Sequence, residues 1–109
     1  MARFRIHPLV EDDVADVLAY TLERFGLGQV HRYEQIIEEA LTRLIEHPES
    51  GRALKIRAGF FLYSIERRGR RASHQFLYRV LEDGRVEVLR LLHDSMDVAR
   101  HIPRDIGED

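Results

Sequence analysis

The chain has 109 residues, 44% of them hydrophobic and 33% charged, so it is long enough for one apolar core and too apolar to stay disordered. It has no cysteine, which excludes disulfides, thiol catalysis and Cys-based zinc sites. The net charge of −2 is unevenly spread: residues 1–50 hold 5 Lys/Arg and 10 Asp/Glu, residues 51–71 hold 7 and 1, and residues 72–109 hold 5 and 8. The central +6 block is either a phosphate- or acid-seeking surface or a solvated loop and turn.

Met1 to Ile6 has no signal-peptide core, and no apolar run nears the roughly 18 residues that span a bilayer, so a soluble cytoplasmic protein is expected. Phe4 and Ile6 alternate with charged residues as a short strand, and Pro8 stops it. The first helix is predicted from Pro8 to Phe25. Val10, Val14, Val17, Leu18, Thr21 and Phe25 form its stripe, Glu11, Asp12 and Asp13 suit its positive end, and Gly26 follows as a cap. The second helix is predicted from Gln29 to His47, with Val30, Tyr33, Ile37, Ala40, Leu41 and Leu44 inward and Ile36 and Ile45 widening the apolar face. The short junction predicts a helical hairpin.

Residues 49–59 read as a loop carrying Arg52, Lys55 and Arg57. Phe60–Ile65 and His74–Leu81 read as strands joined by a basic turn, Arg67 to Arg71. Asp83-Gly84 is a hairpin signal before a strand from Arg85 to Leu92. A two-residue turn sets Glu82 opposite Arg85, Phe76 opposite Leu91, Leu77 opposite Arg90 and Tyr78 opposite Leu89. Phe76, Tyr78, Val80, Leu89 and Leu91 then share the face that seats the hairpin. The other face carries Leu77, Leu81, Val86 and Val88 with Arg79 and Arg90, to be covered by a partner, by loops or by the C-terminal segment. A short C-terminal helix follows Asp97. The expected fold is a two-layer α+β domain over residues 1–103, with an N-terminal strand, a helical hairpin on an antiparallel sheet, and a polar tail at 104–109.

His93, Asp97 and His101 recur every four residues, but a strand end at His93 breaks a helical metal face, so no metal is expected. No serine elbow or phosphate-binding glycine loop is present. RNA cleavage needs an acid, a base and cations, for which Arg79, Arg90 and His93 are the candidates. The alternative pairs Arg90 with a carboxylate such as Asp97 and His93 with backbone.

The chain resembles the ParE branch of the RelE/ParE toxin superfamily over about Phe4 to Ile102. Phe25-Gly26 with Gln29 and Tyr33 is similar to the family's helix junction, and His47-Pro48-x-x-Gly51-Arg52 to the end of its second helix. Tyr78-Arg79, Val88 to His93 and Ser95-Met96-Asp97 are similar to its closing strands. The resemblance implies a bacterial toxin that binds and poisons DNA gyrase without catalysis or cofactor, held inactive in a hetero-oligomer with a ParD-like antitoxin. The RelE branch instead cleaves messenger RNA on the ribosome. The tyrosine or histidine typical there near the last strand is here represented by His93, with no tyrosine after it. Arg90, His93, Ser95, Met96 and Asp97 are the candidate target contacts. Arg52, Lys55 and Arg57, with Val14, Leu18 and Ile36, are the candidate antitoxin contacts. Sequence-specific nucleic-acid binding is not expected.

Overall fold

The computed structural model describes residues 3–67 and 69–106. Arg68 of the basic turn and residues 107–109 of the tail lie outside them, as do the side chains of Arg67, Arg70 and Arg71. Strand β1 (Phe4–Ile6) leads into helix α1 (Pro8–Phe25), which Gly26 separates from α2 (Leu27–Glu46). A 3-10 turn, Pro48–Ser50, precedes β2 (Arg52–Ala53), β3 (Phe60–Arg67), β4 (Arg70–Val80) and β5 (Val86–His93). The C-terminal helix is one 3-10 turn, Val98–His101. No helix among the described residues is long and apolar enough to cross a membrane.

The five strands make one sheet in the order β1-β5-β4-β3-β2. Strands β3 to β5 are antiparallel, as expected; β2, within the stretch expected as a loop, adds antiparallel to β3, whereas β1 adds itself parallel to β5 and makes the sheet mixed. Its pairing stops at Ile6 opposite Val88, and the His7 N–H closes it on the Val88 carbonyl at 2.8 Å. Beyond that point no strand among the described residues pairs with β5 on this side. Asp13 of α1 supplies the missing acceptor, taking the Leu91 N–H at 3.0 Å.

The hairpin packs on one face of the sheet. Val10, Tyr33, Ile37, Ala40 and Leu44 meet Ile65, Phe76, Tyr78, Val86, Val88 and Leu91. Leu44 is fully buried, so truncation to Ala costs about 2–5 kcal/mol. Val14, Leu18 and Ile36 are half-buried at the margin of this core.

Two expectations about register change. The turn is one residue longer than predicted: Val80 pairs with Val86, and Gly84 takes the left-handed conformation at φ 86°. A bulge then absorbs the extra residue, so Tyr78 faces Val88, while Leu77 still faces Arg90 and Phe76 still faces Leu91. Because a slip of one residue exchanges faces, Val86 and Val88 turn towards the helices and Leu89 turns away. The far face therefore holds Phe60, Leu62, Leu77, Leu89 and Leu92, covered by the chain's own Leu54, Val98, Ile102 and Ile106. Ile106 belongs to the stretch expected as a polar tail, and its neighbour Asp105 contacts His7 at 2.9 Å. His7 accepts the Leu9 N–H on Nδ1 and so also caps α1.

The glycine of the His47-Pro48-x-x-Gly51-Arg52 motif has a steric cause. A Cβ on Gly51 would fall on the Tyr78 hydroxyl, which donates to the Pro48 carbonyl at 2.6 Å. Burial, opposed by a backbone hydrogen bond at Gly51, pushes the Tyr78 phenol up to about 12.

Candidate functional site

An open groove of about 1170 Å³ lies between the hairpin junction and the far ends of β4 and β5. The C-terminal half of α1 forms one wall with Asp16, Val17, Tyr20 and Phe25, and α2 adds Gln29 and Tyr33. Ala72, Ser73 and His74 of β4, with His93, Ser95 and Met96, complete it. Gly26 makes this shape possible. At φ 86° it ends α1, donating to the Leu22 carbonyl at 3.0 Å, and starts α2, so the chain reverses without a loop. The junction residues Phe25, Gln29 and Tyr33 thereby meet at the groove.

The lips are apolar and open to solvent: Phe25 is 65% exposed, Tyr20 55% and Met96 44%. The floor is polar. His74 and His93 are direct cross-strand partners, with ring centroids 5.4 Å apart at 87°. The Tyr33 hydroxyl and His74 Nδ1 share a hydrogen bond of 2.8 Å. His93 Nδ1 accepts the Ser95 N–H at 3.1 Å and pairs with Ser95 Oγ at 2.7 Å, which leaves the ring proton on Nε2 in the neutral form. Burial holds the His74 pKa below its ordinary value, and the nearby His93 pushes it the same way, against a weaker pull from Asp94. The floor thus presents two imidazoles, a phenol and a serine beneath apolar lips. Such a surface suits an amphipathic segment of a protein partner.

Of the five candidate target contacts, three line this groove: His93, Ser95 and Met96. The other two are turned to structure. Arg90 donates to both Asp13 oxygens at 2.8 Å and to the His101 carbonyl at 3.2 Å, joining α1, β5 and the C-terminal turn. Its partner is therefore Asp13, not Asp97. Asp97 caps the last turn by accepting the Ala99 N–H at 3.2 Å. Arg79, the third residue considered for RNA cleavage, lies on the far face of the sheet in a buried 2.7 Å pair with Glu87. The trio Arg79, Arg90 and His93 does not converge on one site. Among the described residues no group of three or more His, Asp or Glu is placed to hold a metal ion.

The candidate antitoxin contacts also separate. Val14, Leu18 and Ile36 belong to the hairpin side, Arg52 and Arg57 belong to the opposite side, and Lys55 is exposed in the loop between β2 and β3. Arg52 sits opposite Leu62 on β2–β3 and approaches Gln75 at 3.4 Å, and Arg57 stacks on Phe60 at 4.5 Å. Leu62 and Phe60 are both in the far-face core. The sequence reading missed His74 and Tyr20. A histidine starting a strand carries no local mark of function, and Tyr20 falls outside the α1 stripe; that off-stripe position was the available signal.

The family described as "ParE toxin of type II toxin-antitoxin system, parDE" matches residues 4–98. The chain is 30% identical to Toxin ParE1 of Mycobacterium tuberculosis (strain ATCC 25618 / H37Rv) over 102 residues, 93% of this chain and 98% of that one. It is 31% identical to Toxin ParE1 of Caulobacter vibrioides over 103 residues, 94% of this chain and 99% of that one. A solved structure described as a chromosomal ParDE TA system from P. aeruginosa shares the fold, with a TM-score of 0.70 at 16% identity over 85% of this chain and 96% of that one.

Proposed function

This chain belongs to the ParE toxin family of type II toxin–antitoxin systems, and from that premise we propose that it inhibits DNA gyrase by binding it and is neutralised by a ParD-like antitoxin. The observation that carries binding over catalysis is the engagement of both candidate arginines by internal carboxylates, Arg79 by Glu87 and Arg90 by Asp13. A phosphoryl transition state needs cations aimed at developing charge, and these two face inward instead. The groove supplies what inhibitory binding needs, apolar anchors around a polar floor.

In this reading one groove serves both partners. The β5 wall, His93, Ser95 and Met96, touches gyrase. The antitoxin lays a segment that folds on binding along Tyr20 and Phe25, with Val14, Leu18 and Ile36 offering only their outer edges, and so covers the target contacts. Neutralisation is then steric exclusion, within a cytoplasmic hetero-oligomer.

The test is a supercoiling and cleavage assay with purified gyrase, ATP and plasmid DNA. Inhibition with accumulation of cleaved DNA, relieved by the cognate antitoxin, is the expected result. A folded, antitoxin-free chain without effect overturns the gyrase assignment. Ribosome-dependent RNA cleavage then becomes the reading to test, with His74 and His93 rather than the two arginines as the acid–base candidates.

A further inference from the structure

The modest net charge conceals a bipolar molecule. The two helices, residues 8–46, hold 9 Asp/Glu and 3 Lys/Arg, a net −6, while the rest of the chain holds 10 and 14, a net +4. The acidic layer lies on one face of the sheet, and part of the basic remainder is organised on the other. A row crosses the strands there: Arg5 opposite Glu87, Glu87 opposite Arg79, Arg79 opposite Phe60. Arg79 is held by Glu87 and also lies 5.9 Å from the Phe60 ring. Arg57 covers that ring at 4.5 Å, restrained by the stack rather than by a carboxylate. Arg52 lies on β2 opposite Leu62 of the same face, and Lys55 is exposed in the loop that follows. Among the described residues no carboxylate is within ion-pairing distance of Arg52, Lys55 or Arg57.

We propose that this far face contacts the phosphate backbone of double-stranded DNA, without reading its sequence, through Arg52, Lys55 and Arg57. Three observations favour phosphate over an acidic protein surface. The apolar part of the face is already filled by Leu54, Val98, Ile102 and Ile106, and among the described residues of the β2–β3 loop Ile56 is the one large exposed apolar side chain. Phe60 is buried beneath Arg57, so the ring is not offered for stacking and charge is what remains. A guanidinium fixed by stacking presents its planar donors without further ordering, which suits an oxyanion of a rigid duplex. The acidic helices are repelled by the same polyanion and turn away, so the bipolar charge orients the encounter. The inference stands apart from the proposed gyrase interaction, since its test needs only this chain and DNA.

The experiment is fluorescence anisotropy of a labelled duplex titrated with the free chain at two salt concentrations. With about three phosphates contacted, affinity should fall about 40-fold between about 50 and about 200 mM salt, equally for unrelated sequences. Lys55→Glu, which alters an exposed side chain, should weaken binding and flatten the salt dependence, and Arg57→Glu should do so more. Arg32→Glu on α2 should leave binding unchanged. Absence of binding by the folded chain at low salt overturns the proposal. So does equal binding of poly-glutamate of matched charge, which would make the face a site for acidic protein segments. So does binding that Lys55→Glu and Arg57→Glu leave intact.

Discussion

The β4–β5 ribbon ends in two cross-strand pairs of opposite character. Near the turn, one pair in from Val80 and Val86, Arg79 sits opposite Glu87, and at the other end His74 sits opposite His93. The first pair is buried, oppositely charged and hydrogen-bonded at 2.7 Å. The second is half-buried, made of like groups, and opens on a groove with apolar lips. All four residues are titratable side chains on the same two strands. What separates a structural pair from a candidate working pair is whether the groups satisfy one another. Arg79 and Glu87 do so, whereas His93 disfavours the charged form of His74.

The largest effect should come from breaking the satisfied end. Arg79→Met leaves the buried Glu87 carboxylate with only the 3.5 Å approach of the exposed Arg5, and should cost about 3 kcal/mol in urea unfolding. The Arg79→Met, Glu87→Leu double variant should recover much of that loss, because no lone charge remains. A single variant of unchanged stability would refute the contrast. At the open end the effect should move from stability to binding. Phe25→Ala removes a lip that is mostly exposed, so stability should change by no more than about 0.5 kcal/mol. Affinity for the cognate antitoxin, measured by calorimetry, should fall about tenfold. The smallest effect concerns pH. The His74 pKa is lowered in the folded state, so below its ordinary value of 6.5 the unfolded chain binds more protons than the folded one. Stability should be full above about pH 6.5 and decline as pH falls through that value towards the folded pKa. His74→Gln should remove this component, and His93→Gln should reduce it only in part, since burial is the larger cause. A wild-type slope retained in His74→Gln would assign it elsewhere.

The helices were legible because their signals are local. Pro8 at the first turn, a stripe at three and four, and Gly26 after Phe25 delimit α1 at the observed residues. The register of the ribbon was only half legible. Asp83-Gly84 announces a turn but not its length, and every position from Val86 to Leu92 except Glu87 and Arg90 is apolar, so no polar face marks the bulge near Leu89. Asp13 was hidden by its neighbours. In the run Glu11-Asp12-Asp13 it looks like one more favourable charge at a helix start, and its partner Arg90 lies 77 positions away. The groove was legible in pieces, through Phe25, Gln29, Tyr33, His93, Ser95 and Met96. Its closing element, His74, falls opposite His93 in the predicted register too, but a histidine at the start of a strand carries no local mark of function.

The contacts that complete this fold are among the longest in the chain. Asp13 reaches Leu91 across 78 positions, and His7 reaches Asp105 across 98. During synthesis α1 and α2 emerge long before β5 can seal them, so the groove has no complete floor until β5 has emerged. Folding dominated by such separations is slow compared with helix formation. A newly made toxin therefore passes through an interval in which its hairpin is available and its β5 wall is not. An antitoxin already present and reading the hairpin lips would meet the chain before it becomes competent to act.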